Sequence, residues 1–500
     1  MIPEGKNHGW LRLDIDALQP WALLQGAQLS KIHFGTSADL PAKGAGVYAD
    51  EDIEASADDF ATTLLTVPRD LVLSRERVEQ HSKVDSDLRA VLDSLGEFAK
   101  SSRIAILTFL VTQSTLGAPS VPEPHFVHSP FSSYIKFLPL ESLPTFWSEE
   151  ERALLTGTTL LPAVTAKLKS LYREFDQFRS LTSSISWTDR LWWDEVDGLL
   201  SFTDWLHVDA MYRSRALEFP GIGDCMAPCI DMANHASGDA TSAIYEVDSN
   251  GDAVLLLRDS KSLAKNDEIT ITYGDAKGAC EMLFSYGFLE NTQDEAHTLF
   301  LDLHMMDGDP LAKPKAAVAM TAPGVKITGG ESGLSWESDF IWMICINEED
   351  GLEFMIQRTV DGSEELRAFF KEEELTSAAD LKAKLALEPL WDVFQLRAVS
   401  ILQDRIATQL TQLYGSDEEV EAAEYGKGTS IGTRIRELAL QLRKLEGELL
   451  EMAYAYFEEQ KEDLMKCDSV IAYLQAAHSE APQPTTAQSE GVEEEEEDFS

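Results

Sequence analysis

The sequence predicts an α+β fold: a β-rich unit interrupted by a helical insertion, followed by a mostly α-helical C-terminal domain. Three observations point there. Short apolar runs bounded by turn residues fill the region before about residue 85 and return after about 216. Between them, apolar residues recur at helical spacing. Beyond about 296 a second unit begins, and its later part carries a long helical seam. A regular alternation of strands and helices, the mark of a parallel α/β sheet, is not the pattern here.

The elements follow in chain order. In residues 1–84, Val47-Tyr48-Ala49 and Leu64-Leu65-Thr66-Val67-Pro68 read as strands between turns. In 85–215, Leu88, Val91, Leu92 and Leu95 step at helical spacing, as do Leu168, Leu171, Tyr172, Phe175 and Phe178. Loop chemistry interrupts that stretch at Gly117–Pro124. In 216–295, Ala253–Leu257 and Glu268–Tyr273 are apolar or β-branched and flanked by Asp, Asn and Gly. In 296–480, Ile431, Ile435, Leu438, Leu442, Leu445, Leu449, Met452 and Tyr456 alternate steps of four and three, a seam for packing on another helix of the same chain. Residues 481–500, rich in Pro, Thr, Gln and Ser and ending in Glu493–Glu497 and Asp498, are expected to be a disordered acidic tail.

Composition narrows the function classes. Of 500 residues, 44% are hydrophobic, enough to fill ordinary cores. The 41 Lys+Arg against 87 Asp+Glu leave a formal charge of −46, which argues against direct nucleic-acid binding. Such a field draws basic protein segments, although surface acid also serves plain solubility. Five cysteines, at 225, 229, 280, 345 and 467, form no paired framework, and no second pair or His cluster completes a metal site. Reduced thiols in a cytoplasmic or nuclear protein are the economical expectation. The N-terminus lacks the basic-then-apolar pattern of a secretory signal, and no stretch approaches ~18 uninterrupted apolar residues, so no membrane partner is expected.

Three separated segments concentrate polar chemistry. Lys43-Gly44-Ala45-Gly46 offers two glycines through which backbone amides can approach a ligand, although a plain turn has the same look. Asp231-Met232-Ala233-Asn234-His235 packs donors and acceptors into one chain turn, as a helix cap or Asx turn also does. Glu268–Tyr273-Gly274 is followed by Cys280–Tyr286-Gly287-Phe288. Its two tyrosines, thirteen residues apart, stand one at the exit of a strand and one at the end of a short helix. As ordinary β and core residues they would need no further role.

In order and spacing, these segments resemble a SET domain, specifically the branch related to the Rubisco large-subunit methyltransferase. In that branch the SET core carries a helical insertion and is followed by a helical substrate-binding domain. The likeness extends over roughly residues 20 to 470, with its specific motifs between 200 and 290. Arg213-Ser214-Arg215-Ala216 and Glu365–Phe370 are similar to runs of the same branch, the latter to its helical domain. The resemblance implies S-adenosyl-L-methionine as cofactor, held by Lys43, Gly44, Ala45, Gly46, Ser214, Arg215, Asp231, Met232, Asn234 and His235. It implies Tyr273 at the methyl-transfer axis, Tyr245 and Tyr286 lining a lysine channel, and no metal.

Two departures from the family pattern are visible. Glu54-Ala55-Ser56-Ala57-Asp58-Asp59 stands where a Gly-Glu turn is usual, and Leu217 where an aromatic is common. The expectation is a monomeric protein-lysine N-methyltransferase acting on a basic, lysine-containing segment of a ribosomal protein, translation factor or histone. A protein-histidine methyltransferase and a non-catalytic SET scaffold are the alternatives.

Overall fold

The computed structural model describes residues 12–36, 44–54, 62–118, 126–139, 141–290, 296–330, 333–358, 363–418, 420 and 432–480. The chain divides into two compact units. The first comprises Met1–Leu299, Gly329–Glu331 and Thr411–Leu449; the second comprises Phe300–Thr328, Ser332–Leu410 and Leu450–Ser500.

Among the described residues of the first unit, five strands precede the helical insertion: β1 (Gln28–Leu29), β2 (Ile32–Thr36), β3 (Ala45–Ala49), β4 (Ile53–Glu54) and β5 (Thr63–Val67). Seven follow it: β6 (Ala216–Phe219), β7 (Gly223–Met226), β8 (Asn234–His235), β9 (Ala243–Val247), β10 (Ala253–Leu257), β11 (Ser262–Leu263) and β12 (Glu268–Ile271). Two four-stranded sheets result, ordered β1-β5-β10-β9 and β2-β3-β12-β8. Each joins strands from both sides of the insertion. β10 pairs antiparallel with β5, Leu255 opposite Leu65, and β12 pairs antiparallel with β3, Ile269 opposite Val47. Those four side chains are fully buried, so closing the split unit and burying its core are one event.

The helices form for local reasons. α1 (Leu18–Leu24) precedes the strands; α2 (Arg75–Ser82), α3 (Ser86–Leu95) and α4 (Ser102–Leu116) begin the insertion. Ser74, Asp85 and Ser101 cap these three in turn, each side chain accepting a backbone N–H of the first turn. α4 is buried on every side from Ile104 to Thr115, a stretch that carries no charged residue. α5 (Phe131–Phe137), α6 (Glu149–Ala153), α7 (Leu160–Thr182) and α8 (Ser186–Leu191) follow it in sequence, then α9 (Phe202–Arg215) opens on a Ser201/Asp204 capping box. Trp205 of α9 lies 5.0 Å from Phe178 of α7, ring centre to ring centre. That aromatic contact anchors α9 at one end and carries Arg213–Arg215 to the site at the other.

The C-terminal region is mostly helical, as expected, and also carries short strands. Two three-stranded sheets come first, Thr298–Asp302 with Gly324–Thr328 and Ser335–Glu337, then Leu352–Arg358 with Glu364–Phe370 and Glu373–Leu375. The run Glu365–Phe370, likened above to a helical domain, is therefore a strand; it buries Ala368 and Phe370 and exposes Glu364 and Glu365. The longest helices of this C-terminal region come later in the chain, Trp391–Gly415, Thr433–Leu464 and Asp468–Glu480, and residues 411–449 of them belong to the first unit. In Thr433–Leu464 the seam holds at Leu442, Leu445 and Leu449, then passes to Ala453 and Phe457, leaving Met452 exposed. A straight α-helix drifts about 20° per heptad against a 3.5-residue repeat, so the buried row slips one position. No helix among the described residues is long and apolar enough to cross a membrane.

Candidate active site

β12 brings the separated segments together. It runs antiparallel to β3, Glu268 opposite Tyr48, and parallel to the two-residue β8, Thr270 opposite Asn234 and Ile271 opposite His235. Asn234 Nδ2 donates to the Ala45 carbonyl at 3.3 Å and to Glu268 Oε1 at 2.7 Å. A Cβ on Gly46 would stand 3.0 Å from both Asn234 Nδ2 and Glu268 Oε1, so glycine is what lets β3 pass this close. Gly44 has φ +80° with open space beside it. Lys43 lies outside the described residues.

His235 is used on both ring nitrogens. Its Nδ1 accepts the Tyr273 backbone N–H at 2.9 Å, and Nε2 stands 2.9 Å from Glu290 Oε1. Burial lowers its pKa, with Glu290 opposing. A neutral ring with its proton on Nε2 satisfies both contacts. The imidazole also stacks on Tyr273, centroids 5.1 Å apart, and so fixes that ring from one side.

Asp231 sits in the one-turn 3₁₀ segment Ile230–Met232, which follows Cys229 at φ +77°. It is 5% exposed. The Tyr134 hydroxyl donates to Oδ2, while Oδ1 has no hydrogen-bond partner among the described residues. Burial pushes this carboxyl up to about 6, against the opposing pull of Arg215 and Tyr134. Arg215, the last residue of α9, donates to the Asp231 carbonyl at 2.8 Å and to Glu141 Oε1 at 2.9 Å. Burial disfavours its charge, but Glu141 and Asp231 outweigh that and raise its pKa. Neighbouring Ser214 donates its hydroxyl to Ala210 O at 2.8 Å, a bond inside the helix, and Met232 is buried.

A cavity of about 50 Å³ opens between these groups, walled by Arg215, Leu217, Asp231, Tyr245, Tyr273 and Tyr286. The Tyr273 and Tyr286 rings are 4.5 Å apart, and Tyr245 rests 5.0 Å from Phe219. Tyr273 donates its hydroxyl to the Ala233 carbonyl at 3.0 Å. Burial raises all three phenols, Tyr286 to about 12, so none is a phenolate near neutral pH. The wall offers neutral hydroxyls, aromatic faces, one carboxylate oxygen and the Arg215 guanidinium, which Glu141 pairs. Among the described residues no group of three His, Cys, Asp or Glu is placed to hold a metal ion. A wider polar concavity of about 740 Å³, lined by Asp176, Arg179, Asp189, Arg190 and Glu195 among others, shares no residue with this one.

The residues singled out from sequence thus gather in two places. Gly44, Ala45, Gly46, Asn234 and His235 lie along β3, β8 and β12; Ser214, Arg215, Asp231 and the three tyrosines surround the cavity. Sequence reasoning missed Tyr134 and Glu141. They come from 97 and 74 residues before their partners, out of the helical insertion, with no local signal to mark them. Glu290 was findable: it stands two residues beyond Tyr286-Gly287-Phe288.

Compared with known proteins, the chain is 27% identical over 422 residues to SET domain-containing protein 8 of Schizosaccharomyces pombe, covering 83% of this chain and 89% of that one. Its structure superimposes on the SET domain of LSMT bound to lysine and AdoHcy with a TM-score of 0.65 at 17% identity, over 94% and 96% of the two chains. The chain has a SET fold. Rubisco LSMT bound to AdoMet gives a TM-score of 0.63, also at 17% identity, over 94% of this SET chain and 97% of that structure. An Arabidopsis thaliana protein named [fructose-bisphosphate aldolase]-lysine N-methyltransferase, chloroplastic, is 26% identical over 270 residues, 51% of this chain and 54% of its own length. No family model matches the chain.

Proposed function

We propose that this SET protein is an S-adenosylmethionine-dependent protein-lysine N-methyltransferase. The observation that carries the reading is the small cavity walled by Tyr245, Tyr273 and Tyr286, with Asp231 in its lining, whose Oδ1 has no hydrogen-bond partner among the described residues. One water needs ~10–15 Å³ by the same kind of measure, so about 50 Å³ admits an amine nitrogen with a few attached groups. Aromatic faces favour an ammonium on entry and a methylated ammonium on exit.

The cofactor would supply a methyl group on an electrophilic sulfonium. The residues present fit it: Gly44 leaves backbone and space open, Arg215 offers a guanidinium for a carboxylate, and Asn234 and Glu268 offer an amide and an acidic oxygen. What the chain contributes is position. Asp231, in the cavity wall, would accept a hydrogen bond from the entering ammonium. The neutral phenols then orient the free nitrogen lone pair. His235 and Glu290 hold Tyr273 in place. The chain's charge of −46 supports a basic protein segment as substrate, met without nucleic acid by a monomer of the cytoplasm or nucleus. The names of the Arabidopsis relative and of the lysine-bound structures support the same residue class.

Calorimetry and methyl transfer test the proposal. The purified protein is expected to bind S-adenosylmethionine and its demethylated product without added metal, and to label basic proteins in an extract. Absence of binding for both compounds would overturn it in favour of a scaffold.

A further inference from the structure

α10 (Ala279–Tyr286) ends on the cavity tyrosine, and Gly287 turns the chain away at φ +76°. The last carbonyls of a helix have no intrahelical donor. Gly287 N takes Leu283 O at 3.1 Å. Phe284 O is taken from outside by Arg213, whose Nη1 donates at 2.9 Å. The same guanidinium donates through Nη2 to Thr145 Oγ1 at 3.1 Å and lies 4.5 Å over the Phe284 ring. A cation here also answers the negative end of the helix dipole. Arg213 is held in turn by Asp209, one turn earlier on α9, with Nε 3.5 Å from Oδ2. Asp209 is fully buried and further bound by Arg103 of α4 at 2.5 Å and Lys167 of α7 at 3.0 Å. Arg103 also meets Glu174 of α7 at 3.0 Å.

Buried ions are poor stabilisers, because desolvation consumes most of the attraction, so the buried Asp209 and largely buried Arg213, ringed by the partly exposed Arg103, Lys167 and Glu174, want a geometric explanation. We infer that Arg213 is a positioning residue: anchored by Asp209, it clamps the end of α10 and thereby fixes the Tyr286 wall of the cavity. The inference rests on the lysine-methylation reading, because the wall matters through the amine it faces. One helix, α9, then serves the site twice. Arg215 at its tip meets Asp231 and Glu141, and Arg213, half a turn earlier, ties in the opposite wall. Removing Arg213 leaves Asp209 with two cations, so Arg213→Met does not strand a buried charge.

The test is a double-mutant cycle with Tyr286→Phe, read alongside amide hydrogen exchange. Arg213→Met is expected to lower kcat about tenfold, as a small misplacement of a reacting group does. Cofactor affinity should stay within about twofold, and exchange at residues 283–288 should quicken. Combined with Tyr286→Phe, the loss should not exceed that of Tyr286→Phe alone. Multiplying losses, or a parallel fall in cofactor affinity, would overturn the inference and leave Arg213 a general structural residue. Thr145→Val keeps the guanidinium and its ion pair; it should slow kcat by about two- to threefold in the same direction. If Arg213→Met does not fold, Thr145→Val decides, and unchanged kcat with unchanged exchange in that variant sinks the inference. Should the wild type methylate no lysine, the functional reading fails instead, and the exchange measurement still reports whether the clamp exists.

Discussion

On the glycine side of the site, polar groups are already paired with one another. Asn234 gives its amide to Ala45 and Glu268, and His235 uses one nitrogen on Tyr273 and the other on Glu290. On the tyrosine side the carboxylate of Asp231 keeps one buried oxygen without a hydrogen-bond partner among the described residues, beside a space of about 50 Å³. The first arrangement is a frame whose polar groups satisfy one another. The second keeps an unsatisfied group in waiting, which is unfavourable for folding and useful for binding a cation. Mutations on the two sides should therefore fail in different ways.

The largest expected effect is at Tyr273. Tyr273→Phe keeps the ring on His235 and removes the hydroxyl, so single-turnover transfer should fall on the order of 10²-fold while cofactor affinity holds. Wild-type turnover at saturating substrate would contradict the site assignment, and loss of folding would make Tyr273 a structural residue. Next, on the frame side, Asn234→Ala should weaken cofactor binding by on the order of 1–3 kcal/mol, measured by calorimetry, with little change in the chemical step at saturation.

Asp231→Asn sharpens the contrast by acting on stability. The carboxyl is raised to about 6 in the folded protein, above its usual unfolded value of about 4. Its favourable contribution is complete below about pH 4 and is lost as pH rises through about 6. At pH 8 the amide variant should therefore be more stable than the wild type, by on the order of 2 kcal/mol, and near pH 4 the advantage should vanish. Denaturant melts at the two pH values check this, and the same variant should transfer methyl groups more slowly. Equal stability at both pH values would mean that Asp231 is well solvated. The smallest effect belongs outside the site: Met452→Gln should change stability by less than ~0.5 kcal/mol, because that residue is 51% exposed.

How much of this was legible depends on the range of each interaction. Strands such as Ala253–Leu257 and helices such as Ser86–Leu95 follow from local patterning and stand where the pattern put them. The meeting of Gly46, Asn234 and Tyr273 needed the order of motifs along the chain, since pairing across the insertion leaves no local trace. Tyr134 and Glu141 were invisible, because an ordinary tyrosine and glutamate acquire their roles from partners dozens of residues away. The strand Glu364–Phe370 was masked by its charged, exposed start, which carries little strand signal. Met452 was misplaced because a heptad count ignores the 3.6-residue turn.

The central claim is that an amine, and specifically the side chain of lysine, is what the tyrosine-walled cavity receives. Its most direct test is mass spectrometry of extract proteins from cells lacking this chain, remethylated with the purified protein and isotope-labelled S-adenosylmethionine. The account predicts labelled methyl groups on lysine nitrogens within basic segments, and their loss with Tyr273→Phe. Label found on histidine, or label on lysine that persists undiminished in the Tyr273→Phe protein, would contradict it.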